Sequence, residues 1–348
     1  MIKIGISMGD PNGVGPEIIL KAFNDSRLFE NILPIVYGSN RVLSFYKKLI
    51  PNCSINYAKA RSIDDLKTKQ LNVISIWDGA FNIQPGKANK EGGDFAFKAL
   101  EAATSDLASG KIDVLVTAPI NKKMIQNDQF DFPGHTEYLT RLSNAEDSLM
   151  LMAYNNLRVG VATNHIPVDQ VSSTLSKETI QSKLLLLYHS LKNDFGVLTP
   201  KIAVLGLNPH AGEQGMLGKE EVEIIQPAID ELKKNGLLLF GPFPADGFFG
   251  SKSFLNYDGV LAMYHDQGLI PFKTLSFGTG VNYTAGLNKV RTSPDHGTGY
   301  DIAGKGLADS TSFKNAIFSA IEILKSRKLF EDLNKNPLNL SNSKTGKK

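Results

Sequence analysis

A single cysteine, Cys53, stands among 348 residues. One thiol excludes a disulfide within the chain and any thiolate-rich metal centre. No apolar run approaches the ~18 residues of a membrane span. The opening MIKIGISMGDPNG is a short apolar strand entering a Gly/Pro loop. It lacks the basic segment and long apolar stretch of a signal peptide. A cytoplasmic location without membrane association is therefore expected. Charge of one sign is scarce as well. The net charge is only +3 and no Lys/Arg block is interleaved with aromatics, so nucleic acid is not an expected partner. Three local signatures are missing: GxGxxG, GxxxxGK[ST] and HExxH. Gly13 and Gly15 do precede a helix in GDPNGVGPEI, but turn formation and close packing account for them without a pyrophosphate.

What is present is ordinary in bulk, 42% apolar and 21% charged, and long for a single core. Apolar runs of strand length recur at Ile2–Met8, Leu33–Tyr37, Val73–Ile76, Val114–Val116, Val159–Ala162, Ile202–Leu207 and Val260–Met263. Amphipathic stretches alternate with them: Pro16–Asn24, Gly92–Ser109, Lys177–Lys192, Glu220–Lys234 and a last one at Ser312–Phe330. Strands that are apolar throughout, alternating with helices, predict an α/β fold with a mainly parallel sheet covered on both faces. The Asn/Ser/Lys-rich tail, 335–348, is expected to be disordered.

Six histidines are available. His165, His210 and His265 share one context, since each follows a buried strand into a polar turn. Ligands bind outside the carboxyl ends of parallel strands. Three imidazoles there suit a catalytic divalent ion with an open coordination position, although ordinary loop histidines fit the same pattern. Asp246 and Asp266 are nearby carboxylates able to orient a histidine, complete a metal shell or accept a proton. His189, on a helix, reads as structural. FPGHTEYL sets His135, Thr136 and Glu137 after a Pro-Gly turn. Lys273, Asn282 and Arg291 are spaced along a Gly-rich, mostly irregular stretch. Cations and amides together suit an anionic substrate.

Taken together, GISMGDPNGVGPEI, VTAPINK, FPGHTEYL, NPHAGE, GPFPADGFF, YDGVLAMYHDQGLIPFK and GVNYTAGLNKVRTSPDHGTGYDIAGKG run in order across nearly the whole chain. They resemble the 4-hydroxythreonine-4-phosphate dehydrogenase family of vitamin B6 biosynthesis. The segment HGTGYDIAGKGLAD is similar to one in the isocitrate and isopropylmalate dehydrogenases. These resemblances imply a two-lobed fold of that type, with 1–130 and 280–334 forming one lobe and 131–279 the other. They also imply a nicotinamide cofactor, NAD or NADP, held by irregular loops at His296, Gly297, Asp301 and Gly304.

By the same resemblance, one divalent ion per subunit (zinc, magnesium or cobalt) belongs on His165, His210 and His265. Substrate belongs on His135, Thr136, Lys273, Asn282 and Arg291. A homodimer with the site near its interface is implied too. The reaction implied is oxidation of 4-phosphooxy-L-threonine at C3, with decarboxylation to 3-amino-2-oxopropyl phosphate. Asp246, Asp266, His135 and Lys273 are the candidate proton acceptors. Three other readings compete: a related substrate, such as 4-phosphothreonate or an aromatic cis-diol; a phosphotransacetylase-like acyltransferase; and a non-catalytic metal- or ligand-binding protein, against which the full set of polar residues argues.

Overall fold

A computed structural model describes residues 1–77 and 81–336. Its strands are β1 (Ile2–Ser7), β2 (Ile32–Gly38), β3 (Tyr57–Ala60), β4 (Leu71–Ser75), β5 (Val114–Thr117) and β6 (Leu149–Tyr154). They continue with β7 (Leu157–Thr163), β8 (Lys201–Leu205), β9 (Leu238–Phe243), β10 (Gly259–Tyr264), β11 (Val281–Ala285) and β12 (Val290–Pro294). All join one sheet, in the order β3-β4-β2-β1-β5-β12-β11-β6-β7-β10-β8-β9. Pairing is parallel except near the centre, where β11 opposes β12 and β6, and β6 opposes β7. The mainly parallel α/β sheet expected from the apolar runs is therefore present.

Side chains alternate across each strand, and the two faces carry different cores. Ile4, Ile6, Val114 and Val116 join Leu261 and Met263 in one apolar layer spanning both halves of the sheet. The helices Lys177–Asn193 and Thr311–Asn334 contribute to that layer through Ile180, Leu184, Phe313 and Ile317. The opposite face is split. Leu115, Tyr37 and Ile35 pack with Ala96 and Leu100 of the helix Lys90–Ala108. Val159, Val161 and Ala262 pack with Leu269 and Phe272 of the helix His265–Ser276. Between these two clusters the sheet carries polar side chains, and the cleft described below opens there.

The stretch after Lys273 departs from the irregular reading. Lys273 lies in the helix His265–Ser276, Asn282 in β11 and Arg291 in β12. The first loop packs as expected. A Cβ on Gly13 would meet the Thr298 carbonyl at 2.8 Å, and one on Gly15 the Met8 carbonyl at 2.5 Å. No helix among the described residues is long and apolar enough to cross a membrane. Of the tail expected to be disordered, 337–348 lies outside the described residues.

Candidate active site

β5, β12, β11 and β6 lie side by side, and one face of them floors a cleft. Thr117, Arg291, Asn282, Met150 and Met152 line it from that floor. Register explains the grouping, because Arg291 pairs with Leu115 and Asn282 with both Ser293 and Met152. His135 and Thr136 reach the cleft from the first turn of the helix His135–Leu142. Lys273, His296 and Gly297 complete another wall.

The Arg291 guanidinium is buried, 2% exposed, and its hydrogen bonds go only to hydroxyls. Nε and Nη2 donate to Thr117 Oγ1 at 3.1 and 2.6 Å, and Nη1 donates to Thr284 Oγ1 at 3.1 Å. Burial pushes its pKa down to about 9, opposed by the charge of Glu137, so it stays cationic at neutral pH. A buried cation without a carboxylate partner is costly unless an anion arrives. His135 shows an edge to the cleft, but its Nε2 is inaccessible and unpartnered. Burial, then the charges of Arg291 and Lys122, hold its pKa well below the ordinary histidine value. Neutral His135 therefore offers one N–H donor or one lone pair, with no third positive charge beside Arg291 and Lys122. Asn282 Oδ1 and His296 Nε2 also lack partners.

His165 follows β7 and His265 follows β10, which are adjacent parallel strands. Their rings lie 5.8 Å apart between centroids. Each Nδ1 faces a carboxylate: His165 faces Glu137 Oε1 at 3.4 Å, and His265 faces Asp266 Oδ1 at 2.6 Å. A carboxylate on Nδ1 fixes the tautomer that leaves the Nε2 lone pair free for a metal. Lys122 Nζ lies 2.9 Å from His165 Nε2. Burial raises the pKa of Glu137, but hydrogen bonds from His165 and its own backbone N–H, with the charges of His165 and Lys122, outweigh it and keep the group ionised.

Other expected site residues stand apart from this cleft. His210 follows β8, the strand beside β10, but lies in a turn that swings outward, and it is exposed. Residues His210–Gln214 all adopt positive φ. Asp246, in the helix Ala245–Gly250, is exposed and does not line the cleft. Asp266 is exposed and faces His265, as an orienting group would. Asp301 and Gly304 lie beyond the lining, and a Cβ on Gly304 would press on Pro85 at 2.7 Å. Among the described residues, no three His, Cys, Asp or Glu side chains converge to hold a metal by themselves. Thr117, Lys122 and Glu137 line the cleft without having been assigned a role from sequence.

Residues 30–320 match the model of the family described as pyridoxal phosphate biosynthetic protein PdxA. The chain belongs to this family. A 4-hydroxythreonine-4-phosphate dehydrogenase from Bacteroides thetaiotaomicron is 48% identical over 97% of this chain and 93% of its own length. A relative from Oceanobacillus iheyensis, provisionally named a D-threonate 4-phosphate dehydrogenase, is 39% identical over 92% of this chain and 97% of its own. The crystal structure of the Klebsiella pneumoniae 4-hydroxythreonine-4-phosphate dehydrogenase superposes with a TM-score of 0.79 at 36% identity, covering 93% of this chain and 98% of that one. An isocitrate dehydrogenase from Methylococcus capsulatus matches at a TM-score of 0.50 and 13% identity, over 95% of this chain and 89% of that one. That is a likeness of fold alone, and it agrees with the fold expected from HGTGYDIAGKG.

Membership of the PdxA family makes the chain an oxidoreductase. The donor set then has a chemical reading. Two imidazoles with carboxylate-backed Nδ1 atoms are a partial cage for a dication of the zinc or cobalt type, short of a third ligand. The rest of the cleft offers a buried guanidinium, a neutral histidine and an amide for an anionic ligand.

Proposed function

We propose that the chain oxidises 4-phosphooxy-L-threonine at C3, passes hydride to NAD or NADP, and releases 3-amino-2-oxopropyl phosphate after loss of CO2, in pyridoxal 5'-phosphate biosynthesis. The observation that carries this reading is the buried Arg291 guanidinium, which has no carboxylate partner at the floor of the cleft. It calls for an anionic substrate, and the names of the relatives supply the class. In this reading Arg291, Lys273, Asn282, His135 and Thr136 grip the anionic groups and set C3–H toward the nicotinamide. The cofactor rests along His296 and Gly297, with Asp301 and Gly304 farther along the same loop.

A divalent ion on His165 and His265, with His210 supplied by a second subunit, would lower the pKa of the C3 hydroxyl. Glu137 and Asp266 hold the two imidazoles in the ligating tautomer. Asp266 and Lys273 remain the candidate proton acceptors. Asp246 joins them only if it too comes from a partner subunit. The two-lobe division belongs to the same reading. Strands from 1–130 and 280–334 fill one end of the sheet and strands from 131–279 the other, which supports the boundary. A cytoplasmic location belongs to the same reading.

D-threonate 4-phosphate is the second candidate, favoured by the Oceanobacillus relative. It keeps the phosphate that Arg291 requires and differs at C2. The purified chain is expected to form NADH or NADPH fastest with 4-phosphooxy-L-threonine, measured at 340 nm against D-threonate 4-phosphate and a cis-dihydrodiol. Faster turnover of either competitor would replace the substrate assignment.

A further inference from the structure

Lys122 is a cation in the cleft to which the proposed reaction gives no task. Its ammonium donates to the Nε2 lone pair of His165 at 2.9 Å, and His165 Nδ1 in turn faces Glu137. Among the described residues no carboxylate forms an ion pair with Lys122, although Glu137 lies close enough to favour its charge. A lone pair that accepts a proton from an ammonium cannot also ligate a cation. Lys122 and a dication therefore compete for the same atom of His165. Once displaced, the ammonium enters a cleft whose other residues await an anion. Glu137 has a second carboxylate oxygen, Oε2, that is buried and unpartnered.

We propose that Lys122 is a further substrate-anion ligand that parks on His165 while the cleft is empty, so that cation and substrate binding are coupled through this one side chain. The inference rests on the reading that His165 ligates a dication. The coupling follows from linkage. A substrate anion that draws Lys122 off His165 raises the affinity for the cation, and the cation raises the affinity for substrate by the same factor. Binding together is then favoured over binding either alone.

Calorimetric titration of Co2+ without nicotinamide tests this, because no turnover occurs. Wild type should bind Co2+ at least about fivefold more tightly when 4-phosphooxy-L-threonine is present. Lys122→Met should bind Co2+ more tightly than wild type without substrate, and should lose most of the gain that substrate gives. Lys122→Gln is a second variant, in case the first does not fold. Lys273→Met removes one positive charge from the same cleft without touching His165. It should leave Co2+ affinity in the substrate-free protein close to wild type.

Unchanged Co2+ affinity in both Lys122 variants overturns the proposal, as does an equal gain in Lys273→Met, which would show bulk repulsion instead of a specific contact. Failure of the underlying metal reading looks different. Co2+ would then bind His165→Ala as well as it binds wild type, or would not bind wild type at all.

Discussion

Arg291 shows how a single residue trades stability for binding. Its guanidinium is fully buried, yet it meets only the hydroxyls of Thr117 and Thr284. A buried charge left unpaired is a cost that an apolar side chain of similar volume avoids. Arg291→Met is therefore expected to melt no lower than wild type when no ligand is present. Millimolar phosphate should raise the Tm of wild type, because a ligand at a hundredfold its Kd stabilises by about 2.7 kcal/mol. The variant should lose that shift, and its kcat/KM should fall at least about 100-fold, or ~2.7 kcal/mol. Differential scanning fluorimetry across a phosphate series measures the first effect. Equal phosphate shifts in both proteins would show that the anion binds elsewhere.

At the scale of elements, the turn that carries His210 is held from below. Glu221, buried and at the start of the helical run that leads into Gln226–Lys234, accepts the backbone N–H groups of Leu207 and Asn208 at 2.7 Å each and Asn208 Nδ2 at 3.0 Å. Gly212 has φ +77, and a Cβ there would meet Glu221 Oε2 at 2.4 Å, so the turn closes over the carboxylate only with glycine. Four non-glycine residues of the turn, His210, Ala211, Glu213 and Gln214, also hold positive φ. Such conformations persist only where the surroundings over-determine them. Glu221→Ala strands the two backbone donors, while Asn208 Nδ2 keeps Glu220 Oε2 at 2.7 Å, and it should lower stability by about 2 kcal/mol in urea denaturation. Amide exchange across 207–215 should accelerate with it. Unchanged exchange there would mean that Glu221 does not hold the turn.

The same scale explains what the sequence discloses and what it hides. Strands such as β1, β8 and β10 are legible because burial on both faces demands continuous apolar side chains. β11 and β12 are not, although they sit at the centre of the sheet. Asn282, Thr284, Arg291 and Ser293 occupy positions where a buried strand normally sets apolar groups, and the mixture reads as loop. The polarity that makes the site conceals the strands that build it. Strand-end placement made His165 and His265 visible. Lys122 in its polar loop and Glu137 at a helix start carry no assignable role in the sequence, because either charge looks like a solvated one, and only tertiary packing shows them meeting at His165.

At the scale of the whole molecule, one chain presents two imidazoles to the cleft and turns the third outward. His210 emerges from β8, next to β10, on a strained turn that faces solvent. Exposed apolar side chains lie on both elements. Met216 and Leu217 flank the turn, while Ile270 and Phe277 (84% exposed) lie on and just beyond the helix that His265 opens. In the proposed reading, a second copy of the chain that covers these groups and donates His210 would complete a three-histidine site, and symmetry would make the exchange reciprocal. The arrangement is testable without a structure. His165→Ala and His210→Ala homodimers should each be inactive. When the two are unfolded together, mixed and refolded, half the dimers are hybrids. In a hybrid one site carries both substitutions and the other carries neither. Activity should therefore return to about a quarter of wild type. If His165 and His210 acted in the same subunit, every site in the mixture would retain one substitution and no activity would return.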